Sequence, residues 1–249
     1  MSYRVPYRRA SDGAMREHYP PSFAIDDLRS LAAFLATRET TTLLETARRR
    51  ARGHLVDSES VALRHDVDHN LEHAVRFARW EAKLGIVGSY YVLPEAWYWS
   101  DFETTDRLRE IVELGHEVGL HSNVRALAWK AGANPNSGGD ASYAEHYEKA
   151  AEILRDQLYD LRTRVGEETV RGTAAHGDVL WYTQGMDNAL LYAVRPLSEF
   201  GLEYEAYALS ATGARYVTDN RGTLSPALEE TDGRQTHLVL HPEHWEVPE

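Results

Sequence analysis

The chain of 249 residues is long enough to bury a complete core within a single α/β barrel. Its 39 acidic residues against 27 basic residues give a net charge of −12, which disfavours binding to nucleic acid and to anionic membrane surfaces. The sequence has no cysteine, so disulfides and thiolate metal sites are excluded, and any metal must be held by histidines and carboxylates.

The first 57 residues are predicted to form a helical N-terminal extension. Pro6, Pro20 and Pro21 break the first twenty residues into loop. Two short amphipathic helices follow, at residues 26–36 and 42–51. No apolar run reaches the roughly 18 residues of a membrane span, and the start of the chain shows no apolar signal core. We therefore expect a cytoplasmic protein.

Residues 58–249 alternate between predicted strands and helices, which is the pattern of a parallel sheet in an α/β fold. The predicted strands cover residues 61–63, 86–93, 118–121, 170–175, 214–218 and 236–240. The predicted helices lie at residues 71–84, around 108–112, and at 142–165 and 189–200, with a clear loop at 132–140. The sequence shows no repeat and no linker within this region, so we expect one barrel domain.

The stretch from Arg64 to His69 is the centre of the predicted site. It directly follows the apolar strand at residues 61–63, and a helix follows it in turn. Polar residues on such a turn lie at the carboxyl end of the strand, where α/β folds place their catalytic groups. Asp66 and Asp68 leave the same side of an extended chain, so one can bind a cation while the other acts as a base. The simpler alternative is a polar turn whose aspartates cap the helix.

Four further residues follow predicted strands directly or end them: His121, His176, Asp219 and His241. A parallel barrel brings such strand ends to one face. A lone histidine at a strand end is more often a packed residue than a functional one. Several acid–base groups at equivalent positions favour a shared site. His237 lies four residues before His241, at the opposite end of its strand, and is not expected to join that site.

The motifs His65-Asp66-Val67-Asp68, Gly88 to Val92 and Gly115 to Ser122 stand in the same order as in a known family. Together they resemble the polysaccharide deacetylases, the NodB-homology proteins of carbohydrate esterase family 4, in a variant with Arg64 before the first motif. The resemblance covers about residues 61 to 245. It implies a distorted (β/α) barrel with about seven parallel strands. It also implies removal of N- or O-acyl groups from sugars by water activated at a single divalent metal ion.

The resemblance implies a metal site with one departure from the family. Asp66 matches the catalytic base, Asp68 the metal-binding aspartate, and His121 the first histidine ligand. Arg125 stands where the second histidine ligand is expected, and a guanidinium group cannot bind a cation. We expect His176 to be the third ligand, which leaves Arg125 to contact an anionic group of the substrate. Zinc is the favoured ion, with cobalt, nickel, iron and manganese as alternatives.

The remaining candidates concern proton transfer and substrate binding. His241 matches the family's general acid. Asp219 matches an aspartate that orients the base–arginine pair, and the alternative is that it holds His241 or His176 in one tautomer. Trp97, Trp99 and Trp181 follow strands at the same face, where aromatic rings can stack on a sugar. A hydrophobic plug over the barrel mouth is the alternative for these rings.

The predicted function is metal-dependent hydrolysis of an acyl amide or ester on a small sugar or sugar-nucleotide substrate. One alternative is an amidohydrolase of the same fold that acts on a non-sugar carbon–nitrogen bond, since fold does not determine substrate. Another is a non-catalytic carbohydrate-binding or assembly protein that has lost its metal, for which Arg125 is the main argument. Metal content separates the last alternative from both hydrolases.

Overall fold

The computed structural model describes residues 22–54, 59–136, 138–221, 224, 228 and 233–248. The loop predicted for the first twenty residues lies outside this part of the chain. The strands are β1 (Thr40–Thr41), β2 (Val61–Val67), β3 (Ser89–Val92), β4 (Glu117–Ser122), β5 (Gly172–Ala175), β6 (Tyr204–Glu205), β7 (Arg215–Thr218) and β8 (Thr236–Leu240). The α-helices are α1 (Ile25–Leu35), α2 (Leu43–Ala51), α3 (Leu71–Lys83), α4 (Thr104–Glu113), α5 (Val124–Lys130), α6 (Asp140–Val165), α7 (Val179–Gln184), α8 (Leu190–Val194) and α9 (Ala206–Ala211). Short 3₁₀ turns lie at Trp97–Ser100, Leu197–Phe200, Asp219–Arg221 and Pro242–His244.

These strands form one parallel sheet in the order β6-β5-β4-β3-β2-β8-β7, and the two-residue β1 pairs with the start of β2. The seven strands of that order curl into a half-barrel with the helices packed around it. This arrangement confirms the expected distorted (β/α) barrel. Within the described residues β6 and β7 do not pair, so the barrel stays open between them.

Strand β2 lies inside the sheet and is buried along its whole length. Leu63 and Val67 pack in the clusters formed with the surrounding helices, whereas Ala62 packs with Tyr91 inside the barrel. Because successive side chains of a strand point to opposite faces, Arg64 shares the inner face with Ala62. The strand thus turns Leu63 and Val67 towards the helices and Arg64 into the barrel.

A layer of polar residues fills the barrel below the strand ends. The Tyr91 and Tyr204 hydroxyls lie 2.5 Å apart, and Tyr204 donates a hydrogen bond of 2.5 Å to Glu117. Two glycines make room for the rings, since a Cβ at Gly172 would lie 2.2 Å from Tyr204 and one at Gly119 would lie 2.6 Å from Tyr91. This filling occupies the interior of the barrel below the carboxyl ends of the strands.

The segment before β2 packs against the barrel. Phe23 stacks on Trp245 with the ring centroids 4.3 Å apart. Leu28 and Leu31 of α1 are buried in the same cluster as Leu63 of β2. Burial of these leucines stabilises the fold, because each fully buried leucine contributes about 1.5–3 kcal/mol to the free energy of unfolding. The boundary between an N-terminal extension and a barrel at residues 57 and 58 stays a prediction from the sequence.

Most predicted elements are found with small shifts of their bounds, but the single helix predicted at residues 189–200 is wrong. Helix α8 ends at Val194, and a separate 3₁₀ turn starts at Leu197. Pro196 lies between them, and it restricts the residue before it, Arg195, to an extended backbone with φ −120° and ψ 123°. Strand β6 and helices α5, α7 and α9 were not predicted, because each is too short to show a periodic pattern.

Among the described residues, no helix combines the length and the apolar composition that are needed to cross a bilayer.

Candidate metal centre and active site

Asp68, His121 and His176 come together at the carboxyl ends of β2, β4 and β5. Asp68 Oδ1 lies 3.4 Å from His121 Nε2 and 3.9 Å from His176 Nε2. The two imidazole rings are nearly perpendicular, with centroids 4.9 Å apart. The three residues offer ligand atoms that all lie within 4.8 Å of one another. A tetrahedral ion with bonds of about 2.1 Å separates its ligand atoms by about 3.4 Å, so this group needs little rearrangement to bind one.

The donor atoms of these groups fit a divalent cation. His121 Nδ1 donates a hydrogen bond of 2.9 Å to the carbonyl oxygen of Ala174, so Nε2 is the ring nitrogen that faces Asp68. Burial lowers the pKa of His176 to about 4, so its imidazole is neutral at pH 7. Asp68 Oδ1 is buried without a hydrogen-bond partner. Burial by itself would lower the pKa of His121, but the charge of Asp66 and the hydrogen bond and charge of Asp68 outweigh it and raise the pKa. A cation bound here would take the place of the proton on His121, and two imidazoles with one carboxylate oxygen are a suitable donor set for zinc.

Asp66 forms a buried ion pair with Arg64 beside this group. Arg64 donates from Nε to Asp66 Oδ1 at 2.7 Å and from Nη2 to Oδ2 at 2.8 Å. Burial by itself would raise the pKa of Asp66, but the charge of Arg64, then the charge of His121, outweigh it and the pKa is lowered. Asp66 Oδ2 lies 3.6 Å from His121 Nε2. An ionised carboxylate therefore lies next to the candidate metal ligands.

We assigned no role to Arg64 from the sequence, although the signal was present. Residues 64, 66 and 68 alternate along one extended stretch, so the guanidinium group and both carboxylates leave the same side of the chain. Arg64 and Asp66 are two residues apart on the same strand, so their ion pair does not depend on a second strand.

His241 and Asp219 form a second buried pair. His241 donates to Asp219 from Nδ1 at 2.6 Å and from its backbone N–H at 2.8 Å, and Trp245 Nε1 donates to the same carboxylate at 3.0 Å. Burial alone would lower the pKa of His241, but the hydrogen bond and charge of Asp219 outweigh it and raise the pKa to about 10. The imidazolium is therefore the stable form at pH 7. Of the two roles considered for Asp219, these contacts favour the orientation of His241.

Asp219, His241 and His244 also lie close enough together to be considered as metal ligands. The Asp219 oxygens already accept three hydrogen bonds, from His241 and Trp245. A carboxylate that is hydrogen-bonded in this way is suited to orienting an imidazole rather than to binding a cation.

Arg125 and Trp99 contact other parts of the chain. Arg125 is only 2% exposed, and it donates from Nε to His146 at 3.2 Å and from Nη1 to the carbonyl oxygen of Asp187 at 2.6 Å. Trp99 Nε1 donates to Asp160 of α6 at 2.7 Å. Arg125 thus connects α5 to α6, and Trp99 connects its 3₁₀ turn to α6. These contacts do not support the predicted binding of substrate by either residue.

Trp97 and Trp181 occupy positions that suit substrate binding. Trp97 starts the 3₁₀ turn after β3, and Trp181 lies in α7, after β5. Their side chains are exposed by 42% and 41%. Because both segments follow the carboxyl ends of parallel strands, the two exposed rings lie at the same end of the barrel as the candidate metal ligands.

Asparagines hold the loops around the site, and no sequence signal identified them. Asn123 donates to Asp178 at 3.0 Å, and Asn188 donates to Asn123 at 3.0 Å and to the carbonyl oxygen of His176 at 2.8 Å. Lys130 donates to the same Asp178 carboxylate at 2.9 Å. These bonds join the segments after β4 and β5 and so fix the backbone of His176.

No protein-family model matches the chain, and no characterised protein matches its sequence. The structure superposes on the BpsB deacetylase domain from Bordetella bronchiseptica with a TM-score of 0.52 at 14% identity, over 97% of this chain and 92% of that one. A family 4 carbohydrate esterase from Bacillus anthracis gives a TM-score of 0.44 at 14% identity, over 98% of this chain and 84% of that one. A chitin deacetylase from the fungus Colletotrichum lindemuthianum gives 0.40 at 16% identity, over 74% of each chain. The first superposition shows a shared fold.

Proposed function

We propose that this protein is a metal-dependent hydrolase that removes an acetyl or formyl group from a small sugar-type substrate. The observation that carries the proposal is the placement of an ionised Asp66 and a protonated His241 around the group of Asp68, His121 and His176. A base, an acid and a set of metal ligands at one face are the three parts that hydrolysis of an amide or ester needs. The deacetylase domain with the same fold is consistent with this class of reaction.

Asp68, His121 and His176 are the residues that would hold the ion, for which zinc is favoured and cobalt, nickel, iron or manganese are alternatives. When bound, such an ion lowers the pKa of a water molecule to about 7 and polarises the acyl carbonyl.

The proton transfers fall to residues on either side of these ligands. Asp66 stays ionised through its bond to Arg64 and keeps lone pairs with which to accept a proton from the attacking water. His241 uses Nδ1 to bond Asp219, so Nε2–H is the proton it can donate to the leaving nitrogen or oxygen. The products are a carboxylic acid and a free amine or alcohol. Proton exchange with the solvent then removes the proton from Asp66 and returns one to His241.

The sugar-type substrate is proposed from the exposed rings of Trp97 and Trp181 at the mouth of the barrel. Flat aromatic faces bind the apolar faces of sugar rings. The non-catalytic alternative rested on Arg125 in place of a ligand histidine. His176 offers a third nitrogen at the site, so the change at position 125 does not by itself remove the metal site.

Acyl release by metal-loaded protein tests the proposal. Protein stripped with a chelator and reloaded with zinc or cobalt is incubated with an N-acetyl sugar, its nucleotide-linked form, an N-formyl sugar and a small non-sugar acetamide. NMR detection of free acetate or formate is expected with a sugar substrate, only after reloading. Turnover of the non-sugar amide alone would favour the amidohydrolase alternative. No release from any substrate by protein that has bound its metal would contradict hydrolysis and favour the non-catalytic alternative.

A further inference from the structure

Two tyrosine rings lie at the opening of the barrel, between the edge strands β6 and β7. Tyr207 follows β6 in helix α9, and Tyr216 lies in β7. Their rings stack with centroids 6.2 Å apart and an interplanar angle of 27°. Because β6 and β7 do not pair in the described part of the chain, this stack is a side-chain contact between the two edges of the sheet.

The guanidinium group of Arg64 lies over one ring of this stack. Its Cζ atom is 4.5 Å from the centroid of the Tyr207 ring and 5.5 Å from that of Tyr91. Arg64 is fully buried, and its Nη1 atom has no hydrogen-bond partner among the described residues. A cation over an aromatic ring is attracted by the negative face of the ring, and the attraction is stronger when both groups are removed from water.

Tyr207 contacts Arg64 as a neutral phenol. Burial raises the pKa of Tyr207, although the charge of Arg64 acts to lower it. The ring therefore interacts with the guanidinium group through its face and does not act as a counterion. The counterion of Arg64 is Asp66, which accepts bonds of 2.7 Å from Nε and 2.8 Å from Nη2.

The contact with the ring restricts the side chain that orients Asp66. Arginine has a long side chain with much rotamer freedom, and stacking of its planar group on a ring limits that freedom. Because the fork of Arg64 binds both oxygens of Asp66, a guanidinium group with one orientation imposes one orientation on the carboxylate. A general base must lie within hydrogen-bond reach of the proton it accepts, so this orientation affects turnover.

We propose that Tyr207 is a positioning residue, whose ring holds Arg64 in the orientation that directs Asp66 at the attacking water. This inference rests on the proposed function in that it takes Asp66 as the base. It adds a residue of α9 that acts through Arg64 and takes no part in proton transfer.

Turnover and the geometry of the Arg64–Asp66 pair test the proposal. Tyr207→Leu removes the aromatic face and keeps an apolar side chain, and Tyr207→Met is a second variant without a ring in case the first does not fold. Tyr207→Phe keeps the face and removes only the hydroxyl. Each change is also combined with Asp66→Asn, because residues that act through one group give non-additive losses. Phe34→Leu is the matched control, since the Phe34 ring lies 3.9 Å from Cζ of Arg38 in α1.

We expect Tyr207→Leu to bind its ion and to lose the paired bonds between Arg64 and Asp66 in its crystal structure. Its kcat on a sugar substrate is expected to fall by up to about 10²-fold with little change in KM, because the base is displaced while the substrate contacts remain. Tyr207→Phe and Phe34→Leu are expected to retain wild-type turnover. In the Asp66→Asn background, Tyr207→Leu is expected to cause no further loss.

Unchanged turnover in Tyr207→Leu, or intact bonds between Arg64 and Asp66 in its crystal structure, would overturn the proposal. An equal loss in Tyr207→Phe would overturn the role of the ring face, and the same fold-loss in the Asp66→Asn background would show that Tyr207 does not act through the base. A wild type that binds its ion but releases no acyl group would contradict the proposed function, and the crystal structures would still decide whether Tyr207 holds Arg64.

Discussion

Asp66→Asn is expected to keep the bound ion and to lower turnover by about 10²–10⁴-fold. Asparagine has nearly the shape of aspartate, but its amide cannot accept the proton of the attacking water. Asp68→Asn is the matched comparison, two residues away on the same strand end. It is expected to lower the ion content, because Asp68 is one of the three proposed ligands. Turnover and ion content are measured on the same preparations.

Stability must be followed in this comparison. Asp66→Asn leaves the Arg64 guanidinium buried without its counterion, and breaking a buried ion pair typically costs about 3–5 kcal/mol. Assays are therefore run well below the melting temperature of each variant, as determined by circular dichroism. Loss of the ion in Asp66→Asn together with its retention in Asp68→Asn would mean that the two aspartates have exchanged roles.

His241→Ala is expected to reduce hydrolysis of an amide by about 10²–10⁴-fold and hydrolysis of an activated ester far less. An amide nitrogen must be protonated to leave, whereas the phenolate of a nitrophenyl ester leaves without a proton. Paired rates on an N-acetyl sugar and on nitrophenyl acetate measure the difference. Equal losses on both substrates would make His241 a structural or positioning residue.

The pH profile gives a second measure of the same role. The pKa of His241 is raised to about 10, so the donating form is present below that pH and is lost above it. Amide hydrolysis by the wild type is expected to fall as the pH rises through this region. The fall is expected to be absent in His241→Ala. His244→Ala, whose ring stacks on His241 with centroids 4.9 Å apart, is the control and is expected to retain the fall.

The alternation of strands and helices was sufficient to predict a parallel sheet, and the resemblance to the deacetylases added the expectation of a distorted barrel. The polar strand ends indicated which residues lie at one face of it. His121 and His176 approach Asp68 from strands far away in the sequence, because parallel strands end at one face. Pro196, by contrast, is a local signal against a continuous helix at residues 189–200.

Other features depend on contacts that no local pattern encodes. Arg125 was expected to face the substrate because a cation cannot serve as a ligand, but the short helix α5 turns it towards His146 instead. Glu243, in the turn after β8, lies close to Asp68 although the two residues are far apart in the sequence. Such contacts join residues that are distant in sequence, and periodicity carries no information about them.

Anomalous diffraction from crystals of metal-loaded protein is the measurement that tests the proposed metal centre most directly. Data collected on both sides of the absorption edge locate the ion independently of the protein phases. We predict an ion within about 2.0–2.2 Å of oxygen from Asp68 and of nitrogen from His121 and His176. An ion placed beside Asp219, His241 and His244 instead, or a His176 nitrogen more than about 3 Å from the ion, would contradict this assignment.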